Sequence, residues 1–328
     1  MGDIKQMDFL KLFQACRLCP RQCSINRLDD GEKHALGFCE ETHRLRVAYV
    51  GPHFGEEPPI SGDKGSGTVF FGGCSLRCSF CQNHQISHQG LGSITSVEEL
   101  FQMLEDMIHV HNVHNINFVT PDHFFPHVFS AVSLLRGKGF DLPVIYNLSG
   151  YQSVEMLKIA ENYVDIYLPD FKYSDSSLAA RLSKCKDYPK VALEAIVEMV
   201  RQKGFIDICS TGSGIAKKGV LVRHLILPGK IENSINALTS LFLEFGSGLP
   251  LSLMSQYHPV VHQEDTDLNR FVSEQEFNRV YSHALDLGFE YLFVQFPSER
   301  TGSKHIESPF LPDFRNVKPF KGLTIGSL

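Results

Sequence analysis

The sequence predicts an α/β protein. Two observations carry that expectation: from Gly67 onward short β-branched or aromatic runs alternate with amphipathic helical stretches, and the later helical stretches each separate two strand candidates. Such alternation is the pattern of a parallel sheet built from βα units, and it suits either a barrel or a doubly wound sheet. A length of 328 residues, with 43% hydrophobic and 21% charged residues, is ordinary for a globular chain and leaves room for a large domain with a small appendage.

The strand candidates are 68–72, 116–120, 144–147, 165–168, 220–227 and 251–255, with a weaker one at 291–296. The clearest helix starts at Ser96, which forms a capping box with Glu99, and Val97, Leu100, Phe101, Leu104, Met107 and Ile108 recur on one face. That face is expected against the sheet. Further helices are expected over 153–161, 188–202, 232–245 and 273–287. Gly204, Gly212, Gly214 and Gly219 mark a surface insertion, and the Pro-punctuated tail from Ser308 is expected to be extended.

Charge and composition exclude some classes. The net charge is -6 and no lysine or arginine block occurs, so the electrostatic footprint of a nucleic-acid binder is missing. The N-terminus mixes acids and bases through its apolar residues, and no later stretch is long enough to span a bilayer, so a cytoplasmic chain with no membrane partner is expected. The Met-Gly start is not a myristoylation signal, because Gln6 stands where Ser or Thr is needed.

Nine cysteines in such a chain argue for metal or redox chemistry rather than disulfides. Seven fall in the first quarter, as a group of four and a group of three, while Cys185 and Cys209 stand alone and read as inert thiols. The group of three, Cys74, Cys78 and Cys81, forms C-x3-C-x2-C in a loop after the first strand of the βα series. Three thiolates leave one iron of a [4Fe–4S] cluster without a protein ligand, and an open metal position is what direct substrate binding needs. Structural zinc, the alternative, wants four ligands and would have to borrow a distant residue.

This motif, with aromatic Phe80 just before its last cysteine, resembles that of the radical S-adenosylmethionine (SAM) superfamily. The resemblance covers nearly the whole chain after Gly51 and is nearest to pyruvate formate-lyase-activating-enzyme-like proteins. It implies a partial (β/α)6 TIM-like barrel with a small Cys-rich N-terminal appendage and a site at the C-terminal ends of the strands, where parallel barrels place their chemistry. It also implies SAM bound to the open iron of a [4Fe–4S] cluster, and reductive cleavage of SAM to a 5′-deoxyadenosyl radical. A low-potential electron donor, a flavodoxin or ferredoxin, is implied as partner.

The same resemblance assigns residues at the strand ends. After the second strand comes Val119-Thr120-Pro121-Asp122-His123 in place of the family's Gly-Gly-Glu motif, so the Thr120 hydroxyl, Asp122 or backbone carbonyls are the candidates to hold the SAM ammonium. Asn147 and Ser149 stand where related activating enzymes contact the ribose and a monovalent cation. Asp170 and Lys172 resemble the Asp-x-Lys of glycyl-radical activating enzymes, and Arg223 and Tyr257-His258 the arginine and Tyr-His that approach SAM. Arg223 is expected to grip the SAM carboxylate and His258 a ribose or carboxylate oxygen; because side chains alternate along a strand, only one of Arg223 and His224 can face the barrel interior. The turn-forming segment 51–62, with its two acids Glu56 and Glu57, reads as a linker or as the mouth of the site.

Cys16, Cys19, Cys23 and Cys39 lie in a segment too small to bury a core, which a metal staple would stabilise. Four thiolates suit zinc or an auxiliary iron–sulfur cluster, and their spacing does not separate the two. The expected organisation is a metal-binding segment over 1–50, the barrel over 51–300 and an extended tail over 301–328. Three functions remain at this point: activation of a glycyl-radical enzyme, radical modification of another protein, peptide or small molecule, and a non-enzymatic zinc or electron-transfer role.

Overall fold

The computed structural model describes residues 9–29, 36–207, 214–297 and 311–320. Cys209, the centre of the expected insertion and residues 301–310 and 321–328 of the tail lie outside the described residues. The strands are β1 (Arg46–His53), β2 (Ser66–Phe71), β3 (Ser93–Ile94), β4 (Ile116–Val119), β5 (Val144–Leu148), β6 (Ile166–Pro169), β7 (Gly219–Val220), β8 (Val222–Leu225), β9 (Leu251–Met254) and β10 (Leu292–Gln295). The helices are α1 (Pro58–Ser61), α2 (His84–Ser87), α3 (Val97–His111), α4 (Phe125–Gly137), α5 (Val154–Ala160), α6 (Ser176–Ser183), α7 (Tyr188–Lys203), α8 (Ile231–Phe245) and α9 (Glu274–Leu287).

Strands pair in the order β3-β1-β2-β4-β5-β6-β7 and β10-β9-β8. The expected 220–227 strand is broken at Leu221: β7 pairs with β6, β8 pairs with β9, and a bridge between Asp170 and Arg223 joins the two sheets. From β2 to β10 every pairing is parallel, while β1 and β3 form an antiparallel edge. Among the described strands none closes β1 onto β10, so the architecture is a partial barrel, open on one side. The antiparallel β1 is a departure from the expected plan, and the domain limit at residue 50 falls inside it.

Parallel strands covered on both faces are buried throughout, as β2 and β6 are. The helix cap at Ser96 forms as expected: its hydroxyl accepts the Glu99 N–H at 3.1 Å and its N–H donates to the Glu99 carboxylate at 2.7 Å. Leu100, Leu104 and Met107 are the buried face of α3. By contrast α4 buries a wide face, Phe125, Pro126, Val128, Phe129, Ala131, Val132 and Leu135, and carries Leu134 on its exposed side, so its amphipathic contrast is weak. The N-terminal turn Phe9–Phe13 packs against it, with the Phe9 and Phe129 ring centroids 5.2 Å apart.

The interior of the barrel follows the two-residue period of a strand. At the bottom, Ile145, Ile166 and Leu221 pack round Ile60, which α1 pushes up from below as a plug. Two residues further along, the same strands present Asn147, Leu168 and Arg223. Leu168 still belongs to the packed layer, so the interior is packed below and turns polar above at Asn147 and Arg223.

Candidate active site

Leaving β2, the chain turns sharply through Gly72 and Gly73 into the three-cysteine loop. Gly73 has φ +72°, and a Cβ there would stand 2.7 Å from the Cys39 carbonyl, so only glycine lets the loop lie this close to the N-terminal segment. The His123 Nε2–H donates to the Gly72 carbonyl at 2.7 Å, the Ser79 N–H donates to the Leu182 carbonyl at 2.8 Å, and the Gln263 amide donates to the Ser79 carbonyl at 2.9 Å. The loop is held from three directions.

Cys74, Cys78 and Cys81 are free thiols that line one cavity. The Cys74 sulfur accepts the Leu76 and Arg77 N–H groups at 3.4 and 3.5 Å, and the Cys81 sulfur accepts the Ser87 hydroxyl at 3.4 Å. Burial pushes the Cys74 and Cys81 thiols up, because a thiolate there loses its water. A cationic group bound by the sulfurs reverses that penalty. Each thiolate of an iron–sulfur cube binds its own iron, and Cys74, Cys78 and Cys81 supply three of them at the edge of one cavity. The donor set therefore fits a three-ligand [4Fe–4S] cluster open on its cavity side.

The cavity has a volume of about 550 Å³, within the range of small-molecule sites. Its rim brings together Phe80, Thr120, Asn147, Ser149, Asp170, Lys172 and His258. The Phe80 ring stands 6.0 Å from that of Tyr257, and the His258 ring meets Phe271 at 5.2 Å. Thr120 is left-handed at φ +54°, an unusual state for a β-branched residue, with its N–H donating to the Asn147 carbonyl at 2.8 Å. Strain of that kind concentrates at functional turns. Lys172 is ion-paired to Asp170. Burial opposes its charge, but Asp170 and Cys78 outweigh the loss and hold its pKa above the ordinary lysine value.

Two sequence assignments change. Asp122 is fully buried outside the cavity, hydrogen-bonded to the Ser75 hydroxyl beneath the cysteine loop, so it offers no acceptor to an ammonium in the cavity. Loss of water pushes its carboxyl up to about 6 despite that bond. Arg223 does face the interior, and His224 points away, bonded to the Phe171 carbonyl at 2.6 Å and the Ser234 hydroxyl at 2.9 Å. The Arg223 guanidinium, however, is already occupied: Nε and Nη2 bind the Glu57 carboxylate at 2.9 and 2.7 Å, and Nη2 also binds Glu56. It forms the floor of the cavity rather than a free carboxylate clamp.

Glu56 and Glu57 are thus residues of the site that a linker reading of segment 51–62 passes over. Asn117 and Asn147 donate to the Glu56 carboxylate at 2.9 and 3.3 Å. Burial works against the Glu57 carboxylate, but Arg223 more than compensates and holds it below the usual range. The signal in the sequence was two adjacent acids in an otherwise uncharged run of turn formers.

Residues 68–230 match the family model of the radical SAM superfamily. The chain belongs to the radical SAM superfamily. It is 27% identical over 300 residues to an uncharacterized protein, MJ0674, of Methanocaldococcus jannaschii, an alignment covering 88% of this chain and 78% of that one. Among solved structures it is similar to Streptococcus suis SuiB bound to S-adenosylmethionine (TM-score 0.45, 11% identity, 69% of this chain and 48% of that chain). It is also similar to methylornithine synthase, PylB (TM-score 0.41, 15% identity, 74% of this chain and 76% of that chain). The chain spans about half the length of SuiB. As a radical SAM protein it implies a [4Fe–4S] cluster, SAM, a reductant and a substrate. Among the described residues no helix is long and apolar enough to cross a membrane.

Proposed function

We propose that the chain holds a [4Fe–4S] cluster through Cys74, Cys78 and Cys81 with SAM beside it, and that the 5′-deoxyadenosyl radical from reductive cleavage of SAM takes a hydrogen atom from a substrate in the cavity. The observation that carries this reading is that three cysteine sulfurs and the polar strand ends open on one cavity. Leu76 and Arg77 orient the Cys74 sulfur through their N–H groups, and Phe80 against Tyr257 keeps water from that side. Thr120, by its hydroxyl or its left-handed turn, accepts the SAM ammonium. Lys172 meets the carboxylate, while Asn147, Ser149 and His258 take the ribose, Asn147 and Ser149 also offering oxygens to a monovalent cation. The electron comes from a flavodoxin or ferredoxin.

The rim order Asp170-x-Lys172 and Tyr257-His258 favours a glycyl-radical enzyme as target, its glycine entering at the tip of a loop, since about 550 Å³ admits a chain segment and no folded domain. Another protein, a peptide or a small molecule is the second reading, favoured by the charged floor of Glu56, Glu57 and Arg223, which suits a polar group. Anaerobic reconstitution followed by an assay for 5′-deoxyadenosine tests the shared chemistry. The wild type should release it slowly without substrate, and Cys78→Ala should release at least about a thousandfold less; equal release from both would end the proposal. A non-enzymatic zinc or electron-transfer protein would release none.

A further inference from the structure

We propose that Cys16, Cys19, Cys23 and Cys39 ligate a second iron–sulfur cluster, and that this cluster delivers the electron to the catalytic one across the Gly73–Cys74 loop. The inference rests on the radical SAM reading of the cavity and adds the route by which its electron arrives. The four cysteines sit in one knot: the Cys16 N–H donates to the Ile25 carbonyl at 2.9 Å, the Ser24 N–H to the Cys16 carbonyl at 2.9 Å, and the Gln22 N–H to the Cys19 carbonyl at 3.1 Å. The Phe38 N–H donates to the Cys23 sulfur at 3.4 Å, which brings Cys39 alongside. All four are free thiols, and none lines the cavity.

The knot lies directly against the backbone that carries the catalytic ligands. Arg21 donates through Nε to the Ser75 carbonyl at 3.0 Å, and Arg77 pairs with Glu40 at 2.6 Å. Arg27 is buried, donating to the His123 carbonyl at 2.7 Å and lying 3.8 Å from the Cys16 sulfur, where its charge offsets the thiolates. Because Gly73 touches the Cys39 carbonyl, the Cα atoms of Cys39 and Cys74 are about 10 Å apart or less, one residue step plus the reach of a carbonyl and a contact. On the other side of the loop the catalytic thiols face a cavity that SAM and substrate must fill. The electron therefore arrives through the protein side, and the knot covers that side.

Burial gives the knot a direction. Cys16, Cys19 and Cys39 are 7%, 8% and 7% exposed, while Cys23 is half-buried and forms the outer corner. Four zinc thiolates would sit about 3.8 Å from one another around a single ion with Zn–S near 2.3 Å. The four sulfurs of an iron–sulfur cube instead each take their own iron and stand further apart, so the metal content of the loaded protein separates the two. In the transfer, a reduced flavodoxin loses one electron, the outer cluster gains it and passes it on, and the catalytic cluster ends one electron reduced. No bond or proton moves.

Metal and sulfide analysis of the anaerobically reconstituted wild type is the first test: about eight irons and eight sulfides per chain, with no zinc, are expected. In Cys19→Ser/Cys39→Ser the iron should fall to about half. The electron paramagnetic resonance signal of the remaining cluster, reduced by dithionite, should still respond to SAM. Its reduction by reduced flavodoxin should slow at least about tenfold. Four irons with one zinc in the wild type, or wild-type reduction kinetics in the double variant, would overturn the relay. Cys78→Ala separates this from the parent reading: if that variant keeps the SAM response, it is the cavity assignment that fails.

Discussion

The floor and the rim of the cavity are built by opposite means. The floor gathers charges from distant parts of the chain, Glu56 and Glu57 before β2 and Arg223 on β8, and locks them onto one another. The rim instead takes its metal ligands from one short loop and holds them by backbone groups, with the remaining polar side chains at the ends of successive strands. A locked charge cluster gives rigidity and a fixed polarity. A backbone-held loop leaves its side chains available for chemistry. Substitutions in the floor should therefore cost stability first, and those in the rim activity first.

Breaking the floor gives the largest stability effect. Arg223→Met leaves two buried carboxylates without their cation, which costs about 3–5 kcal/mol when one partner of a buried pair is removed. Urea unfolding of the metal-loaded protein measures it. The triple variant Glu56→Gln/Glu57→Gln/Arg223→Met, which removes all three charges, should recover most of the loss. A cost under about 1 kcal/mol for Arg223→Met would show that the floor is held by something other than these charges.

The opposite face of the same strand sharpens the contrast. His224 is fully buried, and loss of water, partly offset by the Phe171 carbonyl, pulls its pKa down to about 4, with Asp170 and Lys172 the charges nearby. Between about 4 and the usual 6.5 the unfolded chain binds a proton that the folded chain refuses, so stability rises with pH across that window and is fully present above it. The change amounts to about 3 kcal/mol at about 1.4 kcal/mol per pKa unit. His123, pulled down to about 3 by burial, adds in the same sense, while Asp122, pushed up to about 6, opposes them below that pH without cancelling them. Unfolding followed from pH 4 to pH 7 should show this slope, and His224→Gln should reduce it. An unchanged slope would mean that His224 is not the group that titrates.

What could be read from the sequence follows the same division. The three-cysteine loop is contiguous, so its spacing alone displayed the ligands, and the capping box of α3 needed only Ser96 and Glu99. The four later strands that deliver Asn147, Asp170, Arg223 and His258 showed as β-branched runs between helices. The floor was hidden because Glu56 lies 91 residues from Asn147 and 167 from Arg223, and nothing local marks such a meeting. β1 was hidden because Gly51 and Pro52 make it look like a linker, although its pairing with β2 runs through both. α4 was hidden because its buried face is wide and its exposed side carries Leu134, which blurs the helical period. Asp122 was misplaced for a related reason: sequence gives the turn after β4 but not whether its carboxylate swings into the cavity or under the loop.

The smallest effect comes from Thr120, a strained residue of the rim. A left-handed conformation costs a side-chain-bearing residue about 1–2 kcal/mol, and Thr120 adopts it at φ +54°. Thr120→Gly removes that strain and returns part of the gain as unfolded-chain entropy, so a net stabilisation of about 1 kcal/mol or less is expected. Thr120→Ala keeps most of the strain while deleting the hydroxyl, so the two variants separate backbone from side chain. If the bent backbone is what receives the SAM ammonium, both variants should bind SAM within about twofold of the wild type in equilibrium dialysis. A tenfold loss common to both would assign the contact to the hydroxyl, and a destabilised Thr120→Gly would show that the bend is held by packing of the Thr side chain and is not a stored strain.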